Sequence, residues 1–149
     1  PWLWATHLWN TFDFAADARN QGGEPGMNHK GIVTFDRKTK KDAFYLYKAW
    51  WSQEPFVYIA GRRFVDRPEE KSTITVYTNQ PEVTLYINGK EFEKQTGDKV
   101  FRFRIPVEGD MKIKAKAGKL KDEISIRRVD TPNPAYKLGK DAGNAGDWV

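Results

Sequence analysis

Between residues 55 and 130 the chain alternates apolar and polar side chains in steps of two, and before residue 55 it does not. A period of two sends successive side chains to opposite faces of a strand. The stretch therefore predicts a series of half-buried strands. FVYIA opens the series, and in STITVYT the residues Ile74 and Val76 share a face. EVTLYING places Val83, Leu85 and Ile87 on one face and Thr84 and Tyr86 on the other. It ends in Asn88-Gly89, the strongest short hairpin signal, because both turn positions need positive φ. KVFRFRIPV turns Phe101, Phe103 and Ile105 inward and Arg102 and Arg104 outward. MKIKAKAG turns Met111, Ile113, Ala115 and Ala117 inward against Lys112, Lys114 and Lys116, and DEISIRRV closes with Ile124 and Ile126. Roughly seven short strands with regularly spaced turns predict an antiparallel, immunoglobulin-like β-sandwich.

The flanking stretches have other patterns. Trp2, Trp4 and Trp9 crowd the first positions, and residues 3–14 read as a buried strand leading into a loop. Residues 20–28, NQGGEPGMN, read as a loop from their glycines and proline, and GIVTF at residues 31–35 as a short extended piece. TKKDAFYLYKAWWS reads as a helix. Thr39 with Asp42 three residues later resembles a capping box. Ala43, Tyr47 and Trp50 share one face, while Phe44, Leu46 and Trp51 spread apolar surface nearly all round, which requires cover by protein. Pro55 marks the exit. Residues 131–149 are polar and rich in glycine and proline, and read as a linker to a further module begun by Trp148 and Val149. The organisation is thus 1–54, 55–130 and 131–149.

Composition narrows the function. The length of 149 residues is that of about one domain. With 39% hydrophobic and 30% charged residues the chain is globular. No apolar run is long enough to cross a bilayer, so no membrane partner is expected. Residues 1–14 carry no signal-peptide pattern. There is no cysteine, which excludes disulfides, thiolate metal sites and a cysteine nucleophile and leaves the redox compartment open. The formal charge is +5. In residues 56–130 sixteen Lys and Arg stand against twelve Asp and Glu, 16 − 12 = +4, so most of the excess is interleaved with acids. Nucleic-acid binding favours an uninterrupted basic stripe, and no nucleic-acid partner is expected.

The chemistry-bearing residues are few. No serine lies in a G-x-S-x-G elbow. The two histidines are His7 and His29, and His7, inside an apolar run, reads as a satisfied buried histidine. Metal ligation lacks further partners, and no cofactor is implied. Asp13 and Asp17 follow the Trp-rich run, but they read equally as loop caps or partners of Arg19, and no acid–nucleophile pair can be built from them. Glycoside hydrolysis would need two carboxyls about 5–9 Å apart. Trp9-Asn10 with Asp13 suits the apolar face and hydroxyl rim of a sugar, and core packing explains the same residues.

LWNTFDFAADARN at residues 8–20 and GMNHKGIVTFDRKTKKDAFYLYKAWWS at residues 26–52 resemble the end of the catalytic barrel in glycoside hydrolase family 2, which contains β-galactosidases, β-glucuronidases and β-mannosidases. The sandwich is similar to the immunoglobulin-like domain that follows the barrel in many of them, mainly through VTLYINGK. The fold implied is mainly β: the last strand and helix of a (β/α)8 barrel, then the sandwich. In such barrels function lies at the C-terminal ends of the strands, here near Trp9 to Asp13. The resemblance implies a retaining mechanism whose two glutamates precede residue 1. No catalytic residue is then expected in the chain, and the isolated chain should be silent. The missing barrel strands would be its intramolecular partner, with self-association another way to cover the apolar start. Trp9 matches the tryptophan beneath the glycone, next to Asn10, and the peptide bond after it is often cis in the wider clan. Asn28-His29-Lys30 matches a substrate loop, where Asn-x-Lys binds the sugar carboxylate in the glucuronidase branch. The substrate-binding residues implied are Trp9, Asn10, Asn28 and Lys30. The resemblance favours a β-galactosidase, then a β-glucuronidase, against a non-catalytic sandwich that binds glycan or spaces domains. It also implies a periplasmic or other extracytoplasmic location.

Overall fold

A computed structural model describes residue 2 and residues 5–136. Leu3, Trp4 and the module start expected at Trp148 and Val149 lie outside the described residues. The chain divides into two compact units, one reaching Phe44 and the other comprising Tyr45–Tyr136.

The first unit is built on a hairpin of β1 (Phe14–Gln21) and β2 (Glu24–Asn28). Its register runs from Gln21↔Glu24 at the turn to Phe14↔Asn28 at the open end. Gly22 and Gly23 form the two-residue turn with φ of 63° and 82°, values that residues with a Cβ adopt at a cost. The loop expected over residues 20–28 is therefore a tight turn followed by a strand. EPGMN hides that strand because it has no apolar alternation. The strand expected over residues 3–14 is corrected in the opposite sense. Before Phe14 the described residues contain one isolated parallel bridge, Phe12↔Val33. Its hydrogen bonds run from Val33 N to Thr11 O (2.9 Å) and from Asp13 N to Val33 O (3.0 Å). The partner piece, GIVTF, is too short to extend the ladder. His7 is exposed, not buried as its apolar neighbourhood suggested.

The helix α1 spans Asp42–Trp51 and starts later than the capping pattern predicts. Thr39 is engaged elsewhere: its carbonyl accepts Thr34 N at 2.9 Å, and its N–H donates to Thr34 Oγ1 at 3.1 Å. That turn removes Thr39 from the helix end and leaves Lys41 immediately before α1. Trp50 and Trp51 are exposed, while Ala49 is buried.

The second unit is the expected sandwich. Its five-stranded sheet has the order β4 (Asp66–Arg67), β10 (Leu120–Arg128), β9 (Asp110–Ala117), β6 (Glu82–Ile87), β7 (Lys90–Thr96). The second sheet has the order β3 (Val57–Ile59), β5 (Lys71–Thr78), β8 (Val100–Pro106). Ile74, Val76, Val83, Leu85, Phe101, Phe103, Ile105, Met111, Ile113, Ala115, Ala117, Ile124 and Ile126 form one core, on the faces the alternation assigned to them. Asn88 and Gly89 close the β6–β7 turn with φ of 49° and 82°. The pairing is antiparallel except that β4 runs parallel to β10. Tyr45 stacks on Tyr58 with ring centroids 3.5 Å apart. At the other end of the unit Tyr136 Oη accepts the amides of Val65 and Asp66, each at 3.2 Å. Asp66 accepts Asn133 Nδ2 at 2.6 Å and also pairs with Arg127. Residues 131–136, read as linker from composition, are thus held on β4. The Arg127 guanidinium, with Asn133 beside it, holds the Asp66 carboxyl below its ordinary pKa.

Candidate functional site

The site residues implied by the resemblance all lie in the first unit. The Trp9–Asn10 peptide is cis, as that resemblance implies. The Trp9 side chain is exposed and meets the Phe14 ring edge-on, centroids 6.1 Å apart at 88°. Phe14 is the register partner of Asn28, so one hairpin end brings the surroundings of Trp9 to those of Asn28. Asn10 accepts Ile32 N on its carbonyl at 3.1 Å, while its buried Oδ1 has no hydrogen-bond partner. With Phe12, Asp13, Phe14, Phe35 and Arg37 it lines an open cleft of about 550 Å³. The Arg37 guanidinium lies over the Phe12 ring at 4.8 Å.

Asn28 is buried at the end of β2, and its Oδ1 accepts Lys30 N at 3.0 Å, an Asx turn. The turn fixes the backbone of Lys30, which is exposed. Asp13, 4% exposed, is not one of a carboxylate pair, because Asp17 is exposed on β1. Asp13 is tied instead to groups far from it in sequence. Its Oδ1 accepts Lys41 Nζ at 2.6 Å and Gly31 N at 2.9 Å, and its Oδ2 lies 3.5 Å from His29 Nδ1. On the other side of the imidazole, His29 Nε2 lies 3.1 Å from Glu24. A carboxylate held this way is an anchor for backbone and cation, not a free acid or nucleophile. Among the described residues no cluster of three or more His, Asp or Glu is arranged to hold a metal ion.

Gly31 explains why the two segments approach so closely. A Cβ there would stand 2.1 Å from Asp13 N and 2.2 Å from Phe12 C, distances that only a glycine avoids. Lys41, Glu24 and Gln21, whose Oε1 accepts His29 N at 2.6 Å, escape a sequence reading. Nothing in their spacing links them to Asp13 or His29.

The chain as a whole is similar to known glycoside hydrolases. A β-glucuronidase of Bacteroides fragilis is 48% identical over 99 residues, 66% of this chain and 14% of that protein. The crystal structure of an FMN-binding β-glucuronidase from Faecalibacterium prausnitzii L2-6 superposes with a TM-score of 0.88 at 48% identity, covering 93% of this chain and 22% of that one. The chain is homologous to glycoside hydrolases of the β-glucuronidase and β-galactosidase type. It spans a fifth or so of their length or less, 14% and 22% in these two. The β-galactosidase side is a crystal structure of a Bacteroides fragilis protein assigned that activity, with a TM-score of 0.73 at 40% identity over 80% of this chain and 19% of its own. Residues 70–125, within the sandwich, also match a family model described as the TcaA protein third/fourth domain. The mainly β fold and the sandwich are those of the homologous hydrolases.

Proposed function

We propose that the chain supplies the sugar-holding end of a retaining β-glucuronidase of glycoside hydrolase family 2. In this reading Trp9, Asn10, Asn28 and Lys30 hold the glycone, and the acid/base and nucleophile lie elsewhere in a longer polypeptide. The observation that carries it is the Asn28–Lys30 segment, which presents an exposed lysine on a backbone fixed by the Asn28 side chain. A glucuronide differs from a galactoside or glucoside in having a carboxylate where those sugars have a hydroxymethyl group. A lysine held beside that group makes a charge-assisted hydrogen bond, roughly twice as strong as a neutral one. The exposed face of Trp9 suits the apolar face of a pyranose ring. Asp13 takes no part in proton transfer, because Lys41 and Gly31 already occupy it. The identity to β-glucuronidases supports the same sugar.

A β-galactoside is the second reading, favoured by the 40%-identical Bacteroides fragilis protein. The test is the longer polypeptide that carries the chain, assayed with nitrophenyl β-glucuronide and nitrophenyl β-galactoside. The glucuronide should be the better substrate. Lys30→Ala should lower its kcat/KM by about 10- to 100-fold, the effect of losing a hydrogen bond to a charged group. A preference for the galactoside that Lys30→Ala leaves unchanged would overturn the reading.

A further inference from the structure

Lys30 is flanked by two backbone groups that are tied to the same pair of side chains. On its N-terminal side the His29 carbonyl accepts Lys41 Nζ at 2.9 Å. On its C-terminal side the Gly31 N–H donates to Asp13 Oδ1 at 2.9 Å. Lys41 Nζ and Asp13 Oδ1 are themselves 2.6 Å apart. The lysine–aspartate pair therefore closes a clamp around the peptide units before and after Lys30. Asn28 Oδ1 and Gln21 Oε1 fix the amides of Lys30 and His29. We infer that Lys41, anchored on Asp13, is a positioning residue that sets the aim of Lys30 and so determines preference for a carboxylate-bearing sugar.

The physical case is one of placement. Lys41 is the last residue before α1, so its Cα is fixed by the helix. Its ammonium is mostly withdrawn from solvent, and the Asp13 carboxylate almost fully so. A pair in that setting is held far more firmly than an exposed one. The clamp ties one carbonyl and one amide of the backbone on either side of Lys30, which is itself exposed. Lys41 thus acts through the Asn28–Gly31 backbone and touches no sugar. A small misplacement of a charged group that must meet a carboxylate weakens binding steeply. It leaves a sugar without that carboxylate unaffected.

This inference rests on the β-glucuronidase reading, and the experiment separates the two. In the longer polypeptide, Lys41→Met and Lys41→Arg are compared with the parent on nitrophenyl β-glucuronide and nitrophenyl β-glucoside. Amide hydrogen exchange of the Asn28–Gly31 segment is followed in the same proteins. Lys41→Met should raise KM for the glucuronide by about tenfold or more, with kcat changed less. The weak glucoside rate should stay constant, and exchange across the segment should speed at least as much. Lys41→Arg, which keeps the charge and can reach both oxygens, should recover most of the KM. Equal loss on both sugars, or unchanged exchange in Lys41→Met, would overturn the clamp. A parent enzyme that ignores the glucuronide would instead sink the β-glucuronidase reading. The exchange data would then judge the clamp by themselves.

Discussion

The two units of this chain are held together by different physics. In Tyr45–Tyr136 the interior is apolar: Ile59, Ile74, Val83, Leu85, Phe103, Ile105 and Ile113 have no exposed surface at all. Among the described residues of the other unit, the buried apolar side chain is Val33, still 6% exposed, and the other buried residues are Asp13, Asn28 and Gly31. Of its described rings, Trp2, Trp9 and Phe35 are all more than half exposed. The sandwich draws its stability from area removed from water, which is non-directional and large. The first unit is organised by a few short polar ties around close-packed backbone. Each tie contributes little to stability but fixes atoms in direction as well as distance. Geometry of the second kind is what a recognition loop needs, and it stabilises the polypeptide weakly until other protein covers the exposed rings.

The largest effect should follow from opening the apolar core. Phe103 is fully buried between the sheets, so Phe103→Ala removes a ring that nothing can replace. The expected loss is about 3–5 kcal/mol, the usual range for Phe→Ala in a core, read as a shift in the denaturant midpoint of the Tyr45–Tyr136 unit. A loss under 1 kcal/mol would mean that the sandwich is not held as its burial indicates.

Next comes Gly31→Ala in the other unit. The added Cβ would stand 2.1 Å from Asp13 N and 2.2 Å from Phe12 C, and backbone cannot yield as a flexible side chain can. The bridge Phe12↔Val33 and the contact of Gly31 N with Asp13 should open together. Fast amide exchange at Asp13, Gly31 and Val33 is the expected sign, while amides of β6 and β9 keep their protection. Intact protection at Gly31, or a parallel loss in the sandwich, would break the contrast between the units.

These two sites also show what a sequence can and cannot display. Phe103 was placed inward by alternation alone, as were Ile74, Leu85 and Ile113, because one face of each strand meets a core. KEFEKQT, the strand β7, carries no such signature. It forms the sheet edge with both faces largely in water, where charged residues keep other chains from pairing. Asp66–Arg67 is too short a strand to leave a period. As candidates for the site, Asn28 and Lys30 rest on family resemblance, and Trp9 and Asn10 on resemblance together with their residue types. Lys41 was not legible in either way. It meets Asp13 across 28 residues of sequence, and only the fold brings the two together. Gly31 looked like an ordinary extended glycine, and its role follows from what lies behind its Cα.

A smaller effect is expected at the β6–β7 turn, which sharpens the contrast inside the sandwich itself. Gly89 has φ of 82° and open space where a Cβ would be placed. Gly89→Ala therefore acts through backbone conformation and meets no clash, unlike Gly31→Ala. The left-handed region costs an L-residue about 1–2 kcal/mol, and the denaturant midpoint of the sandwich should fall by that amount. A loss as large as that of Phe103→Ala would show that the turn governs the register of the whole edge.

The smallest effect should come from acid, at the strap that closes the sandwich. Arg127 and Asn133 both bond the Asp66 carboxylate and hold its pKa below the ordinary value. The folded state therefore keeps this group ionised at pH values where the unfolded chain, with an ordinary carboxyl near 3.9, has begun to take up a proton. Stability from the strap is then fully present above about pH 5, about one unit above the unfolded carboxyl's value, and is lost as pH falls through the lowered folded value. Asp66→Asn keeps the shape and removes the charge. Its deficit relative to the parent, measured as the gap between denaturant midpoints, should be constant from neutral pH to about pH 5. It should narrow steadily in more acidic solution. A gap that stays the same at every pH would mean that the strap works through shape and neutral hydrogen bonds alone. A gap that widens in acid would reverse the sign of the argument. The first unit offers a control, because Asp13 is bonded to Lys41 and not to this strap. Asp66→Asn should leave amide protection at Gly31 unchanged at neutral pH, so that each unit reports on its own charged contact.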